Sequence, residues 1–131
     1  MDHTAEIELE IEAAGEPEVL EDALRALAEL LGVDPDGSAA VGAATERAVT
    51  AQAPDRPTLL AAWLEELAFL AESQGFVATR IVDLDLPGSG LRATVRGVLG
   101  EPPPLVKAVT YHRLKFEPHG AGYVARVVLD V

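Results

Sequence analysis

The run Glu6-Ile7-Glu8-Leu9-Glu10-Ile11-Glu12-Ala13 alternates acid and apolar residue without a break. A period of two places every carboxylate on one side of an extended strand and every apolar side chain on the other. Such a segment settles only with one face wet and the other against a core, because a helix would scatter the acids around its whole circumference. A lone strand cannot satisfy its own backbone groups, so the chain must also supply a neighbouring strand and a layer covering the apolar face.

Two segments have the pattern of that layer. After Gly15, Pro17 falls where the first helical turn tolerates it. Leu20, Leu24, Leu27 and Leu31 then recur at helical spacing until Gly32 offers a stop. Asp55 can cap a second helix with Pro57 in its first turn; Leu60, Trp63, Leu64, Leu67 and Leu70 form its apolar stripe before Gly75. Trp63, the sole tryptophan, reads as a core anchor on a buried helical face rather than a stacking platform for a ligand. Between the helices, residues 33–44 read as a loop with a turn at Asp34-Pro35-Asp36-Gly37, passing into a weak strand near Arg47 to Gln52.

The second half is strand-like: Phe76 to Leu84 and Leu91 to Leu99 around Pro87-Gly88-Ser89-Gly90, then Val106 to Phe116 and Tyr123 to Val131 around Pro118-His119-Gly120-Ala121-Gly122. Both pairs read as hairpins. The order of elements indicates an α+β fold: a single domain over residues 1–131, with a mostly antiparallel sheet and two amphipathic helices packed on one face. A chain of 131 residues is long enough to bury a core without staples.

Composition narrows the chemistry. With no cysteine, disulfide frameworks, thiolate zinc sites and cysteine nucleophiles are excluded. No segment has the pattern of a secretory leader or of a membrane span of ~20 apolar residues, and the expected compartment is the cytoplasm. The formal net charge of -12 sets a repulsive field against any phosphate backbone, so direct nucleic-acid binding is not expected. The same field attracts divalent cations or a basic protein surface, or serves solubility alone.

Residues able to carry chemistry gather near both ends and in one late strand: His3 and Glu6, Lys107 to His112, and Asp130 with Val131. Asp130 is followed only by Val131, so its side chain and the main-chain carboxylate are neighbours, a donor pair suited to a hard cation. Glu6 adds a third carboxylate if the first and last strands pair. On the residues alone the alternatives stay open: a solvated aspartate on a frayed end, or a metal ligand; surface histidines at His3 and His112, or ligands and bases. Ser38, Ser73 and Ser89 lack any glycine elbow, and Gly88-Ser89-Gly90 opens a strand instead of a helix, so neither a nucleophile nor a phosphate loop is visible.

His3-Thr4-Ala5-Glu6, the segment Leu59 to Leu67, Lys107-Ala108-Val109-Thr110-Tyr111-His112 and the closing Val128-Leu129-Asp130-Val131 resemble, in order and spacing, the landmarks of the archease family. The resemblance spans nearly the whole chain, and the Lys-Ala-Val-Thr-Tyr-His run is its specific part. It implies a non-enzymatic activator of the guanylylating tRNA-splicing RNA ligase, which joins a 2′,3′-cyclic phosphate or 3′-phosphate end to a 5′-hydroxyl. The activator helps that ligase acquire GMP and turn over repeatedly. The resemblance also implies a divalent cation, calcium first, with magnesium or manganese as alternatives. Glu6, Asp130 and the carboxylate of Val131 would hold it, with His3, Lys107, Thr110, Tyr111 and His112 supporting the site or meeting the partner. Glu6 stands where the family has aspartate, which keeps the oxygen chemistry and lengthens the reach by one methylene. Rival readings are a chaperone-like or structural metal-binding adaptor and a stand-alone metal-dependent phosphohydrolase with His112 as base.

Overall fold

A computed structural model of the chain describes residues 5–36, 44–100 and 106–131. The alternating segment is strand β1 (Glu6–Ala13), with the bounds its pattern sets. Helix α1 (Glu16–Leu30) follows, then β2 (Ala44–Gln52), helix α2 (Arg56–Gln74), β3 (Phe76–Asp85), β4 (Gly90–Leu99), β5 (Ala108–His119) and β6 (Gly122–Asp130). The α+β class read from the sequence is the class observed. The antiparallel strands divide into two three-stranded sheets, β1-β6-β5 and β2-β4-β3.

Local chemistry sets the helix ends. Asp55 accepts a hydrogen bond from Thr58 N–H at 2.8 Å, satisfying one orphan donor of α2. At its other end Gly75 takes a left-handed backbone, φ 65°, where an added Cβ would meet the Gly100 carbonyl; glycine is required there on both counts. Of the loop expected over 33–44, the described part holds a turn in which Asp36 N–H donates to Asp34 Oδ1 at 2.9 Å; residues 37–43 lie outside the described residues. The weak strand expected near Arg47 begins earlier, at Ala44.

Both expected hairpins form, as β3–β4 and β5–β6, but the second has a tighter turn. Residues Pro118 and His119 extend β5 instead of joining the turn. An edge strand tolerates proline, and Gly120 at φ 60° closes the connection in little more than its own length.

Both helices pack against both sheets: α1 on β1 and β3, α2 on β2, β3 and β5. One continuous core results, centred on fully buried Trp63, Phe76, Leu20, Leu24, Leu64 and Leu129. The Trp63 indole N–H donates to the Leu20 carbonyl at 3.0 Å, so the largest core side chain also ties α2 to α1. Trp63 is the anchor its sequence position indicated, and no side of it is free for a ligand. Among the described residues, no helix is long and apolar enough to cross a membrane.

Candidate metal and partner site at the end of the first sheet

β6 lies between β1 and β5, so its last residues are flanked on both sides. Register places Glu6 of β1 and Ala108 of β5 opposite Asp130. Val131 N–H donates to the Ala5 carbonyl at 2.9 Å, and Lys107 N–H donates to the Asp130 carbonyl at 2.7 Å. Asp130 and Val131 are therefore pinned on both flanks rather than frayed, and the Val131 side chain packs against the core.

The Ala5–Val131 hydrogen bond has a geometric consequence. In an antiparallel ladder, hydrogen-bonded pairs alternate with non-hydrogen-bonded ones, so Glu6 and Asp130 form a pair of the second kind. Side chains in such pairs stand closest, with Cβ atoms roughly 4.5–5.5 Å apart on the same face. That face is the solvent face, where Glu6 is exposed and Asp130 half-buried. Two carboxylates held side by side repel, a local penalty that a cation between them would remove.

The middle of the acidic face of β1 is neutralised differently. Glu8 pairs with Arg113, which reaches it from β5 across the middle strand, and Arg126 of β6 lies 3.9 Å from Glu8 and 3.5 Å from Glu10. Glu6 and Asp130 have no such basic partner among the described residues. Arg113 can reach so far because β5 carries a wide bulge. Tyr111 to Leu114 stand opposite little more than Val127, between the pairs Thr110–Val128 and Lys115–Arg126. Arg113 takes φ 56°, a left-handed backbone that a non-glycine residue adopts at a cost of roughly 1–2 kcal/mol. Val128, opposite Glu8, is buried although it points to the solvent face.

The Lys107–His112 run leads into this bulge. Lys107 and His112 are exposed, Thr110 is half-buried, and His112 N–H leans on Thr110 Oγ1 at 3.4 Å. Tyr111 turns the other way, around the sheet edge, where its hydroxyl meets Glu65 of α2 at 3.4 Å. Partial burial, with the Glu65 carboxylate beside it, raises the Tyr111 phenol above its ordinary pKa. His3 lies outside the described residues. The structure thus brings Glu6, Asp130 and Val131 together, sets Lys107 beside them, and places Thr110, Tyr111 and His112 further along β5.

Among the described residues, no three His, Asp or Glu side chains converge as a metal shell. The donors at this position are the carboxylates of the Glu6–Asp130 pair. They suit a hard, oxygen-seeking cation but fill only part of the 6–8 positions calcium takes. Sequence reasoning missed Glu8, Arg113 and Arg126, which distinguish the neutralised middle of the acidic stripe from its uncompensated end. Nothing in the residues around Arg113 marks a left-handed turn.

Comparison with known proteins identifies the family and the fold. The model of the Archease protein family (MTH1598/TM1083) matches residues 1–131. A protein archease of Archaeoglobus fulgidus is 33% identical, covering 100% of this chain and 96% of its own length. One from Methanopyrus kandleri is 32% identical with the same coverage, 100% and 96%. Among solved structures, the crystal structure of an archease from Thermotoga maritima, described as a possible chaperone, aligns at TM-score 0.70 with 25% identity over 100% of this chain and 94% of its own. The solution structure of protein 1598 of Methanobacterium thermoautotrophicum aligns at TM-score 0.65 with 29% identity over 100% and 96%. By sequence along its whole length and by fold, the chain belongs to the archease family.

Proposed function

We propose that this chain is a non-enzymatic activator of a GTP-dependent tRNA-splicing RNA ligase, acting in the cytoplasm to promote guanylylation and repeated turnover. The observation that carries the reading is the in-register opposition of Glu6 and Asp130 on a clamped sheet end, in a member of this family. Glu6, Asp130 and the Val131 carboxylate would hold a divalent cation, calcium by preference. Once bound, that ion supplies positive charge at the edge of an otherwise acidic surface. Lys107 and His112, both exposed, would meet the partner or its nucleotide phosphates from the adjoining strand.

Electrostatics favours the encounter. A formal charge of -12 steers the chain towards a basic, RNA-binding protein and away from free RNA. Multiple-turnover RNA joining by the cognate ligase, with GTP and manganese and RNA in large excess, tests the reading. Many products per ligase are expected only when this protein is added. Equal yields with and without it would sink the proposal.

A second reading is favoured by the description of the Thermotoga relative as a possible chaperone. On it, the cation ties down the terminal strand of a structural adaptor. Cation-dependent stability with no effect on joining would point there, whereas phosphodiesterase turnover by the isolated protein would point to a hydrolase using His112.

A further inference from the structure

Phe69 is the one phenylalanine on the polar side of α2, and it is 60% exposed, whereas Phe76 and Phe116 are buried. Its helical neighbours at three and four residues are Glu65, Glu66, Glu72 and Ser73, all exposed. No basic residue follows Arg56 in the helix. Tyr111, 57% exposed, reaches from β5 to Glu65, one turn before Phe69. The two most exposed large apolar side chains among the described residues therefore flank one glutamate, within an acidic border.

We infer that this patch is a docking face for a basic protein, and that Phe69 is its anchor. An exposed aromatic surrounded by charges has the anatomy of an interface hot spot, with an apolar centre and a polar rim. The rim selects the occupant. A second copy related by a two-fold axis would set Glu65, Glu66 and Glu72 against their own equivalents. Anionic lipid and nucleic acid are repelled by the same carboxylates. A protein surface with an apolar socket bordered by Lys or Arg matches both parts. Tyr111 lies three residues along β5 from Ala108, which faces Asp130, a span of roughly 10 Å. The patch lies around the sheet edge from the carboxylate pair, since Tyr111 turns from β5 towards α2. This assignment rests on the ligase-activator reading and names the surface by which that partner is gripped.

The test is direct titration of the purified cognate ligase with the wild-type chain, Phe69→Ser, Phe69→Leu and Glu66→Lys, at low and high salt. Phe69 is exposed enough for these changes to leave no cavity, and thermal melts check folding. Phe69→Ser is expected to weaken binding at least tenfold, while saturating amounts still bring joining to the wild-type plateau. Phe69→Leu should lose less, and Glu66→Lys should lose both affinity and much of its salt dependence. Wild-type affinity in Phe69→Ser, with the wild type binding and activating, would overturn the docking face and leave the activator reading standing. Binding that needs Phe69 without activation would support the face and remove the reading. No binding by the wild type would remove both, and self-association abolished by Phe69→Ser would reassign the patch to a second copy.

Discussion

Placing Glu6 opposite Asp130 in a non-hydrogen-bonded pair sets two like charges against each other at a sheet end where, among the described residues, neither forms an ion pair. Relieving that repulsion should stabilise the cation-free protein. Glu6→Gln or Asp130→Asn is expected to raise its stability by about 0.2–1 kcal/mol, the range for cross-strand pairs. The same substitutions should abolish any gain in melting temperature that calcium brings to the wild type. Thermal unfolding with calcium and with chelator checks both effects; a calcium gain that survives the double substitution would place the ion elsewhere. Tyr111 offers a second test at this scale. Its pKa is raised, so the folded state holds the phenolic proton more tightly than the unfolded chain. The contribution is present below the ordinary tyrosine value and is lost as pH rises through the raised one, and exposure keeps it small. Glu65→Gln is expected to move the phenolate absorbance titration back towards the ordinary value; no movement would leave Glu65 without a part in the shift.

Elements differ in how far their residues announced them. The bounds of β1 follow from its alternation, and the ends of both helices from Pro17, Asp55, Pro57 and Gly75, because capping is local chemistry. Trp63 was legible as core for the same reason. Trp63→Ala is expected to destabilise by about 3–5 kcal/mol. Trp63→Phe should cost less than that and more than a simple loss of volume, since it leaves the Leu20 carbonyl without its donor. Denaturant unfolding with unchanged slope checks the pair, and a Phe variant as stable as the wild type would deny the hydrogen bond any role. The bulge from Tyr111 to Leu114 was not legible, because Arg113 takes a left-handed backbone without the glycine or asparagine that usually marks one. Phe69 could have been found: it falls off the apolar stripe of α2, among glutamates, a position that a helical projection exposes.

At the scale of the whole molecule, strand order is decided by distant partners, and the division into two sheets follows from β1 pairing with β6 at the far end of the chain. Periodicity marks strands and their wet faces but carries no information on which strands are neighbours. The candidate site depends on that pairing. Glu6 and Asp130 were legible as oxygen donors, on condition that the first and last strands pair, and the family resemblance named them again; the register brings them side by side, while His3 lies outside the described residues. Acidic side chains stand both at the sheet end, as the Glu6–Asp130 pair, and on α2, as the exposed Glu65, Glu66 and Glu72. A basic partner is the simplest use of the charge of -12. The first experiment is ligase guanylylation with labelled GTP, comparing no addition, the wild-type chain and a folded Glu6→Ala, Asp130→Ala double variant. Rapid labelling with the wild type and a loss of at least tenfold with the double variant is the expected result. Full stimulation by the double variant would contradict the central claim that this carboxylate pair carries the activity.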